Sequence, residues 1–194
     1  MLEACPKCQR TFPQEDGSFC PDDGTRLLPI DEVSVPPNPK DPLVGRAVDD
    51  RYEIRRIVAD GGMGRVYEAR DLTAQRRVAL KILHPEIAEE EVNIERFRRE
   101  AVTSRDLSHE HVVDVIDFAK SEKVPGRSGA AWYLVMEYLD GEELRAVIDR
   151  EGTLPLSRVL RVVSQLAKAL DAAHEKGFVH RDLKPDNVFL VRQP

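Results

Sequence analysis

Apolar and polar positions alternate along the middle of the chain with the period of a half-buried strand, and the alternation breaks at a cluster of glycines. Tyr52-Glu-Ile-Arg-Arg-Ile-Val58 predicts one strand. It runs into Ala59-Asp60-Gly61-Gly62-Met63-Gly64, after which β-prone residues resume at Val66. Arg77–Leu83 reads as an apolar strand carrying a single Lys81, and Val113–Phe118 and Trp132–Leu139 as two more. Between the last two, Lys120–Gly129 has the Pro and Gly content of an exposed hairpin loop. The period changes over Glu89–Asp106, where Val92, Ile94, Phe97, Ala101 and Val102 recur at mixed three- and four-residue steps and predict a helix. A longer amphipathic helix is predicted over Leu156–Lys176. Leu156, Val159, Leu160, Val163, Leu166, Ala167 and Leu170 form its apolar face, expected to be ordinary core packing, and Gly177 ends it. Val188–Val191 begins another strand.

The first 44 residues lack this patterning. Cys5-x-x-Cys8 can place two thiolates on one tight turn, and Cys20-Pro21-Asp22-Asp23-Gly24 repeats the shape with Asp23 in the fourth position. A segment this short cannot bury enough apolar surface to fold alone, so a metal staple is physically reasonable. Tetrahedral Zn²⁺ accepts thiolate and carboxylate ligands, which makes Cys5, Cys8, Cys20 and Asp23 a candidate set. A metal-free tail and a redox Cys-x-x-Cys remain alternatives. From Pro29 to Val44, repeated prolines remove backbone donors and favour extended conformations, so this stretch is expected to be a semi-rigid spacer. The expected boundaries are a knuckle at 1–28, a linker at 29–44 and a larger domain at 45–194.

Composition narrows the function classes. Of the 194 residues, 33% are charged and 41% hydrophobic, which suits a globular chain. A net charge of −6 supplies no basic excess to neutralise phosphates, so nucleic acid is not an expected partner. No apolar run reaches the length of a membrane span, and the first residues lack a signal peptide's cationic and apolar regions. Three cysteines confined to the first twenty residues suggest metal ligation in a reducing compartment, and the cytoplasm is the expected location.

The densest chemistry lies near the end, in His180-Arg181-Asp182-Leu183-Lys184-Pro185-Asp186-Asn187. It sets a carboxylate, a cation and an amide on one short loop, the parts phosphoryl transfer needs to orient a hydroxyl, hold a phosphate and ligate Mg²⁺. The tract resembles the protein-kinase catalytic loop His-Arg-Asp-x-x-x-x-Asn. Gly61-Gly62-Met63-Gly64-Arg65-Val66 resembles that family's glycine-rich loop, with Ala59 where its first Gly is expected, and Val78-Ala79-Leu80-Lys81 resembles its Val-Ala-Ile-Lys strand.

The resemblance runs from Tyr52 to Val191 and implies an α+β bilobal kinase-like fold. That fold would comprise a small-lobe antiparallel sheet with its helix and a large helical lobe stopping before the Asp-Phe-Gly motif. It implies ATP and Mg²⁺ as cofactors. Nucleotide contacts would come from Val58, Ala59, Gly61, Gly62, Gly64, Val66, Ala79 and Lys81, with Met136 behind the adenine. Glu137 and Leu139 would serve as its hinge, Glu143 would reach the ribose and Phe189 would lie beneath the adenine. Glu100 is the implied ion-pair partner of Lys81, with Glu95 as competitor. Asp182 would orient the substrate hydroxyl, Lys184 would neutralise the transferred phosphoryl, Asn187 would bind Mg²⁺, and Arg181 would grip a phosphorylated activation segment. Lys184, two residues after the Asp, resembles serine/threonine rather than tyrosine kinases.

The expected activity is transfer of the γ-phosphoryl of ATP to Ser/Thr hydroxyls of protein substrates. This chain by itself is expected to be inactive without an activation segment. The Cys segment resembles a zinc-ribbon or rubredoxin-like knuckle, which normally carries Cys-x-x-Cys twice. Together the two parts resemble bacterial eukaryotic-like Ser/Thr kinases. The alternative is a nucleotide-binding pseudokinase or scaffold whose zinc knuckle binds partners.

Overall fold

The structure is a computed structural model that describes residues 2–35, 38, 41–127 and 129–192. The linker residues Pro36, Pro37, Pro39 and Lys40, and Ser128 of the expected hairpin loop, lie outside the described residues. The chain divides into two compact units. One comprises Met1–Arg98 with Ile116–Tyr138, the other Arg99–Val115 with Leu139–Pro194.

The first unit is built on a six-stranded sheet in the order β4-β5-β6-β7-β9-β8. Its strands are β4 (Ala47–Val48), β5 (Tyr52–Asp60), β6 (Gly64–Asp71), β7 (Arg76–Leu83), β8 (Val115–Ser121) and β9 (Ala131–Glu137). The patterning thus located the major strands to within two or three residues, and β4 is a short addition. Successive side chains point to opposite faces of a sheet, and the two faces differ in composition. Tyr67, Ala69, Val78, Leu80, Ile82, Tyr133 and Val135 fill the hydrophobic core on one face. The other face carries Val66 opposite Lys81, Glu68 opposite Ala79, and Ala79 opposite Met136.

The proline-rich segment departs from the expected spacer. Leu43 and Val44 join the sheet's core cluster, and Val33 is buried. Asp41 is 1% exposed and accepts hydrogen bonds from the Tyr67 hydroxyl (2.8 Å), Arg65 Nη1 (2.6 Å) and the Leu43 amide (2.9 Å). The prolines stiffen the segment, but its apolar and acidic residues hold its described parts against the sheet. Lys120–Gly129 also departs from a wholly exposed loop. Ser121 and Val124 are buried, and the Ser121 hydroxyl donates to Asp49.

Preceding the sheet, β1 (Leu2–Ala4), β2 (Thr11–Pro13) and β3 (Leu28–Pro29) form a small sheet ordered β2-β1-β3. Its miniature core consists of Cys5, Phe12, Cys20 and Leu27 with Cys8 packed alongside.

Helix α1 (Glu91–Leu107) buries Phe97 and Ala101, while Val92 and Val102 stay exposed. Phe97 meets Phe118 edge-on at 5.6 Å, and Phe118 stacks on Trp132 at 5.3 Å. In the second unit, β10 (Gly141–Glu143) pairs with β11 (Phe189–Val191), and α2 (Leu144–Glu151) follows β10 directly. Helix α3 (Leu156–Glu175) ends where predicted. Gly177 adopts φ 78°, with its amide bonded to the His174 carbonyl and the Phe178 amide to that of Ala173.

One expectation about α3 is corrected. Its apolar face is not core packing, because Leu156, Leu160 and Val163 are 73%, 60% and 55% exposed. Periodicity defines which face of a helix is apolar, while its burial requires an opposing surface, which the described residues do not supply here.

Candidate functional site

The glycine turn between β5 and β6 is held by its backbone. The Gly61 amide donates to the Gly64 carbonyl at 3.1 Å, and the His84 amide to that of Met63 at 3.1 Å. A Cβ on Gly64 would lie 3.0 Å from the Ile82 carbonyl carbon and closer still to its oxygen, so only glycine allows β6 to approach β7 there. A Cβ on Gly62 would meet nothing within 4 Å, and Val58, Ala59 and Gly61 are exposed, so this rim faces solvent.

His84 is a contributor the sequence did not flag. Its Nε2 sits 3.0 Å from the Gly61 carbonyl and 3.1 Å from Asp60 Oδ1. Arg65 also pairs with Asp60 and, with His84, holds that carboxyl below its usual range. No local motif marks His84, which follows the Lys81 strand by one residue and meets the turn only through the sheet.

On the face of the sheet opposite the hydrophobic core, Val66, Ala79, Lys81 and Met136 lie in adjacent register. Lys81 is half-buried, with Nζ 5.5 Å from the Phe97 ring centroid. Glu137 is half-buried at the end of β9. Glu95 is exposed and pairs within α1 with Arg98 at 3.7 Å, while Glu100 is exposed one turn beyond Phe97.

The second unit brings Asp182, Lys184 and Asn187 together. Lys184 Nζ lies 3.0 Å from Asp182 Oδ2, and Asn187 Nδ2 donates to the same oxygen at 3.1 Å and to the Asp182 carbonyl at 2.8 Å. Lys184, and then Asn187, hold the Asp182 carboxyl below its usual range, so it is an anion at neutral pH. Arg181 turns the loop with φ 59°. A Cβ on Gly141 would come within 2.9 Å of Phe189, so glycine lets β10 close onto β11. That pairing sets Glu143 opposite Phe189, with Leu139 half-buried just before β10.

A family profile described as protein kinase domain matches residues 52–194. The chain belongs to the protein kinase family. This kinase chain is 42% identical over 150 residues to the serine/threonine-protein kinase PknA of Mycobacterium tuberculosis, an alignment covering 77% of the chain and 34% of that relative. It is 36% identical over 148 residues to serine/threonine-protein kinase PrkC of Bacillus subtilis, covering 76% and 22% respectively. Among solved structures, the crystal structure of the M. tuberculosis PknI kinase domain is similar with a TM-score of 0.61 and 33% identity, covering 73% of this chain and 55% of that one. The chain thus spans about a third or less of the length of these curated relatives.

Apart from the kinase residues, Cys5, Cys8, Cys20 and Asp23 form one cluster whose ligand atoms all lie within 4.8 Å of one another. Their loops are built alike. The Cys5 and Cys20 amides bond the Arg10 and Thr25 carbonyls, and the Gln9 and Gly24 amides bond the Cys5 and Cys20 carbonyls. Gln9 and Gly24 both take positive φ, 65° and 71°. The Cys8 amide points at Cys5 Sγ from 3.4 Å. Cys8 and Cys20 Sγ are 3.7 Å apart, too far for a disulfide, and all three cysteines are thiols. The Thr25 hydroxyl and amide hold the Asp23 carboxyl down at about 2.

Proposed function

We propose that this chain supplies the nucleotide-binding and catalytic-loop portions of an ATP-dependent serine/threonine protein kinase. The observation that carries the reading is the Asp182–Lys184–Asn187 cluster, since an ionised Asp beside a Lys and an Asn is what phosphoryl transfer to a hydroxyl requires. Bound Mg²⁺ would neutralise phosphate charge. Asn187 suits it, because its amide nitrogen is committed to Asp182 and its carbonyl oxygen is left to offer a hard cation.

In this reading Asp182 accepts a hydrogen bond from the substrate Ser or Thr hydroxyl and orients it. Lys184 offsets the charge on the transferred phosphoryl, and Arg181 is available to a phosphorylated segment. Lys81 and the glycine turn Gly61–Gly64 hold the phosphates, the Gly61 amide itself being committed to the Gly64 carbonyl. In the first unit Val66 and Ala79 are the residues proposed to lie over the adenine with Met136 behind it, the Glu137 backbone to meet its edge, and Val58 and Ala59 to add nucleotide contacts. In the second unit Leu139, Glu143 and Phe189 are proposed nucleotide contacts. Glu100 remains the residue proposed for the ion-pair role toward Lys81, with Glu95 as the competitor.

The knuckle is read as a structural Zn²⁺ site. Ligands at about 2.3 Å on a tetrahedron stand about 3.8 Å apart. Cys8–Cys20 at 3.7 Å and Cys5–Asp23 at 3.5 Å already match that edge. Thiols in this state fit a reducing, cytoplasmic setting. Among the described residues no helix is long and apolar enough to cross a membrane.

The test is Mg-ATP binding and radiolabelled γ-phosphoryl transfer, in this chain and in the longer protein. Lys81→Met and Asp182→Asn should abolish transfer, and Lys81→Met should also weaken binding. Failure to bind Mg-ATP would refute the kinase reading. Binding without transfer in the longer protein would establish a pseudokinase, and robust transfer by the 194-residue chain would refute its expected inactivity.

A further inference from the structure

Thr11 of the knuckle bonds directly to the kinase sheet. Thr11 of β2 is 1% exposed and uses all three of its polar groups. Its amide (2.8 Å) and its hydroxyl donate to Glu68 Oε1, and its carbonyl accepts from Arg77. Glu68 and Arg77 lie on the face of β6 and β7 that also presents Val66, Ala79 and Lys81, two to four residues further along the same strands. The knuckle therefore covers the part of that face next to Val66 and Ala79, the residues proposed above to meet the adenine. Asp31, just beyond β3, extends the contact by pairing with Arg70 on that same face.

Both anchors of Thr11 also hold Tyr138, the middle residue of the Glu137–Leu139 hinge. Glu68 Oε2 accepts from Arg56 Nε at 2.8 Å, and Arg56 Nη2 donates to the Tyr138 hydroxyl at 2.9 Å. The Arg77 guanidinium lies over the Tyr138 ring, 4.3 Å from its centroid. Glu68 is fully buried, so a carboxylate stripped of two of its donors could not stay in place unchanged. Next to Thr11, Phe12 points the other way, into the small cluster with Cys5 and Cys20. Without a metal that cluster has too little apolar surface to fix the register of β2.

We propose that the knuckle is a metal-dependent clamp on the adenine side of the nucleotide site, with Thr11, Glu68 and Arg77 as positioning residues for the hinge. Cys5, Cys8, Cys20 and Asp23 would hold the zinc and with it the turns flanking β2, keeping Thr11 against Glu68 and Arg77. The contacts of these two, through Arg56 and with the Tyr138 ring, orient Tyr138. Zinc loss frees Thr11, loosens the hinge and weakens nucleotide binding. The inference rests on the two readings above, of the knuckle as a zinc site and of the sheet as the ATP site.

The test uses the 194-residue chain kept reduced with a phosphine. Zinc content is read by emission spectrometry, Mg-ATP affinity by calorimetry, and integrity of the sheet by Trp132 fluorescence. Removing zinc with a chelator should weaken Mg-ATP binding by at least about fivefold, the lower end of typical coupling between sites, with Trp132 emission retained and affinity restored when zinc is returned. Thr11→Val should keep the zinc yet weaken nucleotide binding, and Thr11→Ser, which retains the hydroxyl, should bind as the native chain does. Stoichiometric zinc whose removal leaves the affinity unchanged overturns the clamp alone. A chain that takes up no zinc overturns the metal reading, and a zinc-loaded chain that does not bind Mg-ATP overturns the nucleotide reading.

Discussion

Replacing Asp41 by Ala distinguishes a strap from a spacer. The carboxylate serves three donors at once: the Tyr67 hydroxyl, the Leu43 amide and Arg65. Tyr67 and Leu43 are 1% and 2% exposed, so each donor loses its acceptor where water is scarce. Each such loss costs about 1–3 kcal/mol, whereas the share of the more exposed Arg65 is discounted to about 0.5 kcal/mol. The three share one acceptor and do not add fully, which sets the expected destabilisation at about 3–5 kcal/mol. Tyr67→Phe, which leaves Asp41 its other two partners, should cost only about 1 kcal/mol. Trp132 is the only tryptophan and lies in β9, so its fluorescence during a urea titration reports this sheet. An Asp41→Ala loss below about 0.5 kcal/mol, ordinary for a surface position, would refute the burial argument and restore the free spacer.

At the glycine turn, Gly64→Ala should destabilise the β6–β7 pairing and abolish Mg-ATP binding measured by calorimetry, while Gly62→Ala, with open space around it, should leave the fold intact. Asp182 has a depressed folded pKa, so its charged form is present above the ordinary carboxylate range and is lost as pH falls through the lowered value. Lys184→Ala should therefore move the Asp182 carboxyl titration, followed by carbon-detected NMR, to higher pH; no movement would discount their ion pair. On α3, Leu160→Gln should change stability in a urea titration by less than about 0.5 kcal/mol, because that side chain is already in water; a larger loss would restore the core-packing reading of that face.

How much was legible in the sequence differs from one site to the next. Lys81 sits in a strand with its own period, and Asp182, Lys184 and Asn187 lie within six residues of one another, so local spacing carries their chemistry. The paired turns at Cys5–Cys8 and Cys20–Asp23 were legible for the same reason, the positions in each turn being three residues apart. His84 was not, since it reaches the glycine turn across the sheet, and neither was Thr11, whose partners stand 57 and 66 residues away. The proline-rich stretch was misjudged because proline content reports backbone stiffness and says nothing of what Leu43, Val44 and Asp41 will touch.

The sequence by itself determined the strands, the two principal helices and the short loops that carry reactive groups, because period, turn residues and motif spacing act over a few residues. Only the tertiary structure decided which apolar faces are covered, as at Leu43, and which stay open, as on α3. It alone decided that a small cysteine module would rest on the sheet beside the hinge. Burial and long-range hydrogen bonding depend on surfaces that meet through folding, and no local pattern encodes where a second surface will be.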